Sequence, residues 1–112
     1  MARWFKDSEI VGLSPHLVER LDNARSIAGI PFIITSGKRN PSDNLAAGGV
    51  QDSSHLKGLA VDLVCASGVH RFSMVSALLA AGFFRIGIYD AHIHADIDPS
   101  LPQNVIWTGK SH

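Results

Sequence analysis

A chain of 112 residues is long enough for one domain with a single modest core. Ten basic residues cancel ten acidic ones, so the positive excess typical of nucleic-acid binders is missing, and no apolar run reaches the length of a membrane span. One cysteine excludes an internal disulfide and a multi-cysteine zinc ribbon, which leaves six histidines as the conspicuous feature.

The opening "MARWFKDSEIVG" lacks the apolar stretch of a secretory signal. The expectation is a protein made in the cytoplasm that reaches any outside substrate by release or delivery. "GLSPHLVERLDNARSIAG" then carries helix punctuation: Ser14 can cap, Pro15 suits the first turn and Gly29 can end it. Leu17, Leu21, Ala24 and Ala28 recur at spacings of three and four, giving one apolar face. "PFIIT" reads as a short buried strand. Residues 36–54 are polar and glycine-rich and are expected to form a long loop with a short helical turn near Asp43 to Ala47; long loops inside compact domains are often functional.

"GLAVDLVC" is the next predicted strand, with Cys65 at its end as a small buried hydrophobe. A second helix fits "GVHRFSMVSALLAAG", with Phe72, Val75, Ser76 and Leu79 on its apolar side and Gly82 as its stop. "FFRIGIY" and "AHIHADID" are expected to pair as a hairpin turning near Asp90, and "NVIWTGK" to add an edge strand. The fold expected is a small single-domain α+β structure over residues 1–112, a mostly antiparallel sheet packed with two main helices.

In "AHIHADID", strand alternation puts His92, His94, Asp96 and Asp98 on one face and Ile93, Ala95 and Ile97 on the other. A solvated outer face more usually carries Lys, Glu, Thr and Ser. Asp62 poses a separate question: it stands between Val61 and Leu63 in a buried strand, where a carboxylate is costly unless its charge is held. His55 lies seven residues earlier, roughly 23–25 Å away if the chain were extended. Gly58 between them can turn the backbone sharply and fold His55 over Asp62. A third ligand from the neighbouring hairpin would complete two histidines and a carboxylate, the set that leaves one position of a tetrahedral zinc open.

The stretch "SSHLKGLAVDL" followed by "GIYDAHIHADI" resembles the zinc peptidases of the D-alanyl-D-alanine carboxypeptidase family. That family includes endolysins that cut L-alanyl-D-glutamate bonds, within a wider group with lysostaphin-like enzymes and the hedgehog domain. Ser53, His55, Gly58, Ala60 and Asp62 match its first signature; His94 and Asp96 match its later His, any residue, Asp element. "ITSGKRNPSDN" is similar to the family's strand and arginine-bearing loop, and "GLSPHLVERLDNAR" to its leading helix.

The resemblance implies a zinc ion held by His55, Asp62 and His94, and hydrolysis of a peptide bond in the stem or cross-link of peptidoglycan by a carboxypeptidase or an endolysin-type endopeptidase. It implies that Arg39 binds a substrate carboxylate or the developing oxyanion. Asp96 is read as orienting a ligand or Arg39, with a surface carboxylate the alternative, and Ser54 as supporting the site or contacting substrate, with closing a turn the alternative. Many members place an acid three residues before the last ligand; here that position is Ala91. His92 is the expected substitute as general base, by similarity to the lysostaphin-like branch, with Asp90 the alternative. His16, His70 and His112 are expected to be solvated. The partners expected are peptidoglycan peptides, with no nucleic acid and no membrane insertion, and the protein is expected to be a monomer, a phage or prophage lysin being one fitting origin. The rival readings are a zinc-containing binding or structural module of the same fold without catalysis and, behind it, a virion or host-interaction protein stabilised by zinc.

Overall fold

The first helix forms where its punctuation places it. In the computed structural model, which describes residues 2–38 and 53–110, α1 spans Pro15–Ala28. The Ser14 hydroxyl accepts from the His16 amide, Pro15 occupies the first turn, and Gly29 leaves through a left-handed conformation with φ of 68°. Leu17, Leu21 and Ala24 are fully buried, with Ala28 packed at the margin. Helix α2 spans Gly68–Ala80, capped by Ser67, and the chain departs through Ala81 and Gly82, whose φ is 98°.

The apolar side of α2 differs from expectation. Met74, Ala77 and Leu78 are buried, with Val75 and Ala81 packed beside them. Phe72 is 76 % exposed, and Ser76 and Leu79 are also exposed. The spacing 72, 75, 76, 79 is as helical as 74, 77, 78, 81, and the two stripes lie on nearly opposite sides of a helix with about 3.6 residues per turn. Periodicity cannot choose between them. The sheet does, because it needs the stripe that includes Met74 and Leu78.

Five strands form one mixed sheet: β1 (Ile34–Ser36), β2 (Ala60–Val64), β3 (Arg85–Ile88), β4 (His92–Asp96) and β5 (Val105–Thr108), in spatial order β1-β2-β4-β3-β5. All pairs are antiparallel except β3 with the edge strand β5. The predicted hairpin is β3–β4, and the predicted first strand is displaced toward Ser36. Val61, Leu63, Ile86, Ile93 and Ala95 have no exposed surface and share one core with both helices and Phe83. Cys65 is buried with them.

Because side chains alternate, the residues between those core positions face away from the helices. The register sets them side by side: Ser36 opposite Asp62, Asp62 opposite His94, His94 opposite Gly87, and Gly87 opposite Trp107. One lateral row thus crosses all five strands. Among the described residues no helix is long and apolar enough to cross a membrane. The expected helical turn at Asp43 to Ala47 lies outside the described residues, as does His112.

Candidate metal and catalytic site

His55 reaches the sheet from a tight turn that packs against the segment before α1. Within it the Leu56 amide donates to the Ser53 carbonyl at 2.9 Å and the Gly58 amide to the His55 carbonyl at 3.2 Å. Gly58 has φ of 71°, and a Cβ there would stand 2.3 Å from the Gly12 carbonyl oxygen. Both features demand glycine: the left-handed backbone disfavours other residues, and the close approach leaves no room for a side chain. The Gly58 carbonyl then accepts from the Ser14 amide at 2.9 Å, tying the turn to the start of α1.

The turn sets His55 over Asp62. His55 Nε2 lies 3.4 Å from Asp62 Oδ1, and His94 Nδ1, from the neighbouring strand, lies 3.2 Å from the same oxygen. The two imidazoles meet edge to face with centroids 5.2 Å apart. One donor atom from each of His55, Asp62 and His94 falls within 4.8 Å of the others. His55 is 3 % exposed and Asp62 8 %, so the cluster sits within the protein rather than on a solvated surface.

The far side of each ring is also anchored. His55 Nδ1 lies 2.9 Å from the Gly37 carbonyl, an acceptor, so that nitrogen carries the proton and donates. Its Nε2, the atom that takes up a second proton or a metal, is thereby turned toward Asp62. His94 Nε2 donates to Asp96 Oδ2 at 2.7 Å, leaving Nδ1 toward Asp62. Outer hydrogen bonds of this kind fix tautomer and orientation in metal-binding histidines. The donor set of two nitrogens and one carboxylate oxygen suits zinc, and the anchoring of both rings fits a metal at their inner edges.

Electrostatics agree. Burial pushes the Asp62 carboxyl up, but hydrogen bonds and charge from His55 and His94 outweigh it and hold the group well below the usual carboxylate range. Burial pushes His94 down, while Asp62 and Asp96 push it up more strongly, so its proton affinity is raised. The space between His94 and Asp62 therefore favours positive charge.

Two buried carboxylates support this centre from behind. Asp96, 1 % exposed, accepts from His94, from Arg85 Nε at 2.8 Å and from the Asp98 amide. Asp98, also 1 % exposed, accepts from Ser54 Oγ at 2.7 Å, Lys57 Nζ at 2.9 Å, and the amide and hydroxyl of Ser100. It joins the turn of His55 to the chain leaving β4.

The residues singled out from sequence divide as follows. His55, Asp62 and His94 are brought together. Asp96 is not a surface carboxylate; it orients His94, and its cationic partner is Arg85. Ser54 is buried beside His55 and binds Asp98. His92 lies on the same face as His94, its ring stacked on Tyr89 at 4.4 Å. Asp90 is exposed in the β3–β4 turn, where its carbonyl faces Arg71. Arg39 lies outside the described residues. His16 and His70 are exposed. Sequence reasoning passed over Arg85, Lys57 and Gly37 because their roles depend on cross-strand partners; for Arg85 the alternation of "FRIGIY" would have put it on the Asp96 face.

The sequence matches the family described as Peptidase M15 over residues 4–98. The chain belongs to that family. Among solved structures it is similar to the Serratia marcescens L-Ala D-Glu endopeptidase ChiX, with a TM-score of 0.64 and 21 % identity, covering 82 % of this chain and 85 % of that one. At that identity the likeness is one of fold. No curated protein gives a significant sequence match.

Proposed function

We propose that this M15 family member is a zinc-dependent peptidase that hydrolyses a peptide bond in the stem or cross-link peptides of peptidoglycan. The observation that carries the reading is the convergence of His55, Asp62 and His94 with both outer ring nitrogens already committed to Gly37 and Asp96. These three residues would hold the metal. When bound there, zinc supplies Lewis acidity, polarising a carbonyl and lowering the pKa of a water.

The protein's own groups supply the rest. His92, two residues from His94 on the same strand face, takes a proton from the attacking water at an imidazole nitrogen and passes it to the leaving amine. Arg39, two residues after Gly37 in sequence, offers a fixed fork of donors to a substrate carboxylate or to charge developing on the carbonyl oxygen. Asp96 keeps His94 in one tautomer, and Asp98 with Ser54 keeps the His55 turn in place.

An endopeptidase acting between L-alanine and D-glutamate is favoured over a carboxypeptidase by the activity named for ChiX. Action on the wall after release or delivery, as a monomer and in the manner of a lysin, fits this reading. The rival reading, a zinc-containing module without catalysis, draws support from Ala91 at the position where many relatives carry an acid. Purified sacculi digested with and without chelator separate the two. The enzyme releases new amino groups only with metal, and mass analysis of the fragments names the bond. Zinc content without any cleavage, or cleavage indifferent to chelator, overturns the proposal.

A further inference from the structure

The lateral row of Asp62 and His94 continues through Gly87 to Trp107 on the edge strand. Gly87 leaves a gap on this face and the indole fills it: a Cβ on Gly87 would stand 2.6 Å from Nε1, 2.7 Å from Cε2 and 2.9 Å from Cζ2. The Nε1–Cζ2 edge of the indole therefore lies over Gly87. The ring reaches His94, with centroids 5.4 Å apart and planes tilted by 49°.

Its neighbours fix it there. Trp107 Nε1 donates to the Tyr89 hydroxyl at 3.0 Å, and the Arg85 guanidinium lies 5.1 Å from the ring centroid. Tyr89 stacks on His92 and packs over Gly109, where a Cβ would come within 2.5 Å of Cε1. Arg85 is already engaged by Asp96 and the Pro102 carbonyl, so its charge is committed within the protein and the indole is the apolar group beside His94 in this row. Trp107 is half-buried, while Ile106 and Thr108 on either side of it are exposed.

We propose that Trp107 is a substrate-contacting, specificity-determining residue. Its outward indole face is an apolar wall beside His94 that receives the alkyl side chain of the residue adjoining the scissile bond. The inference rests on the peptidase reading above and adds what the site selects. A large rigid aromatic face suits this work because it offers apolar area without new ordering on binding. A single methyl group moved from water onto such a surface is worth about fourfold in affinity, from ~0.8 kcal/mol per buried CH₂. An alanyl residue at that position is thus preferred over glycyl by up to about fourfold, expressed mainly in KM.

The test compares two synthetic stem-type peptides differing only in Ala or Gly beside the scissile bond, with the zinc-loaded parent, Trp107→Phe, Trp107→Ala and Gly87→Ala. The parent and Trp107→Phe should prefer the alanyl peptide; Trp107→Ala, and Gly87→Ala by displacing the indole, should bring the ratio toward one at unchanged zinc content. A second measurement avoids variants of the wall. Trp4→Phe leaves Trp107 as the remaining one of two tryptophans, and Trp4 sits apart, bonded to Ser26 and stacked on Arg25 at 4.0 Å. Its fluorescence should change saturably with the alanyl peptide. Cleavage with an unaltered Ala/Gly ratio in Trp107→Ala, or without a fluorescence response, makes Trp107 a packing residue and overturns this inference alone. If the parent neither cleaves nor binds either peptide, the peptidase reading falls and takes the inference with it.

Discussion

Removing the Asp98 carboxylate tests how the centre is held from behind. Asp98 is 1 % exposed and accepts two hydrogen bonds on each oxygen: Ser54 and Lys57 on Oδ2, the Ser100 amide and hydroxyl on Oδ1. In Asp98→Ala, Lys57 and Ser100 are exposed enough to recover water, and an ion pair whose lysine is 41 % exposed contributes little by itself. The Ser54 hydroxyl is buried and loses its acceptor, which costs about 1–3 kcal/mol. Adding the ordering that the carboxylate imposes on residues 98–100 gives a total of about 3 kcal/mol, or a fall in Tm of roughly 12 °C for a domain of this size. Zinc affinity falls as well, because Ser54 belongs to the turn that presents His55.

The effect depends on pH with a definite sign. Burial pushes Asp98 up, but the hydrogen bonds from Ser100, Ser54 and Lys57 outweigh it, leaving the carboxyl well below the usual range. A group depressed in the folded state stabilises fully above its unfolded pKa of about 3.9 and loses that contribution as pH falls through the folded value. Asp98→Ala should therefore differ most from the parent at pH 6–7, with the gap narrowing in acid. Thermal melts from pH 7 down to pH 2, read by circular dichroism, measure both quantities. A melting temperature within about 2 °C of the parent at pH 7, or a gap that widens in acid, would refute the reasoning.

Gly58→Ala combines a left-handed backbone with a Cβ 2.3 Å from the Gly12 carbonyl, so a loss of more than ~2 kcal/mol is expected in denaturant titration. His94→Ala removes one of three converging donors, and elemental analysis should find substoichiometric zinc where the parent holds one per chain; full retention would dissolve the site. His92→Ala should keep its zinc and lose about 10²–10⁴ in turnover, while Asp90→Ala, altered in an exposed turn, should keep most of it; the reverse ranking in a peptide-release assay would move the general base to Asp90.

Local signals carried much of the fold. Ser14, Pro15 and Gly29 set α1 because each acts on its own few residues, and the alternation of "AHIHADID" fixed which side chains of β4 share a face. The face of α2 was not legible, since two apolar stripes are present and only the packed sheet selects between them. The juxtaposition of His55 with Asp62 was readable because one glycine in a short interval explains it. Arg85 beside Asp96, Asp98 beneath Ser54 and Trp107 against His94 were not. Each depends on which strands become neighbours, and that is settled by the whole sheet.

The register explains why the apolar pattern and the chemistry cannot be separated. Val61 and Leu63 on β2, and Ile93 and Ala95 on β4, are fully buried and opposite one another. Once those four are in the core, Asp62 and His94 must fall opposite each other on the other face. A slip of one residue in either strand would turn its polar set inward and expose its apolar set, so the core enforces the pairing far more strongly than the contact between Asp62 and His94 does. The same constraint runs outward through Ile86 to Gly87, and the parallel pairing of β3 with β5 then places Trp107 at the end of the row. The centre is thus specified by hydrophobic side chains on the opposite face of the sheet. On this account an apolar substitution at Ile93 would disturb the geometry around His94 before any polar neighbour changes.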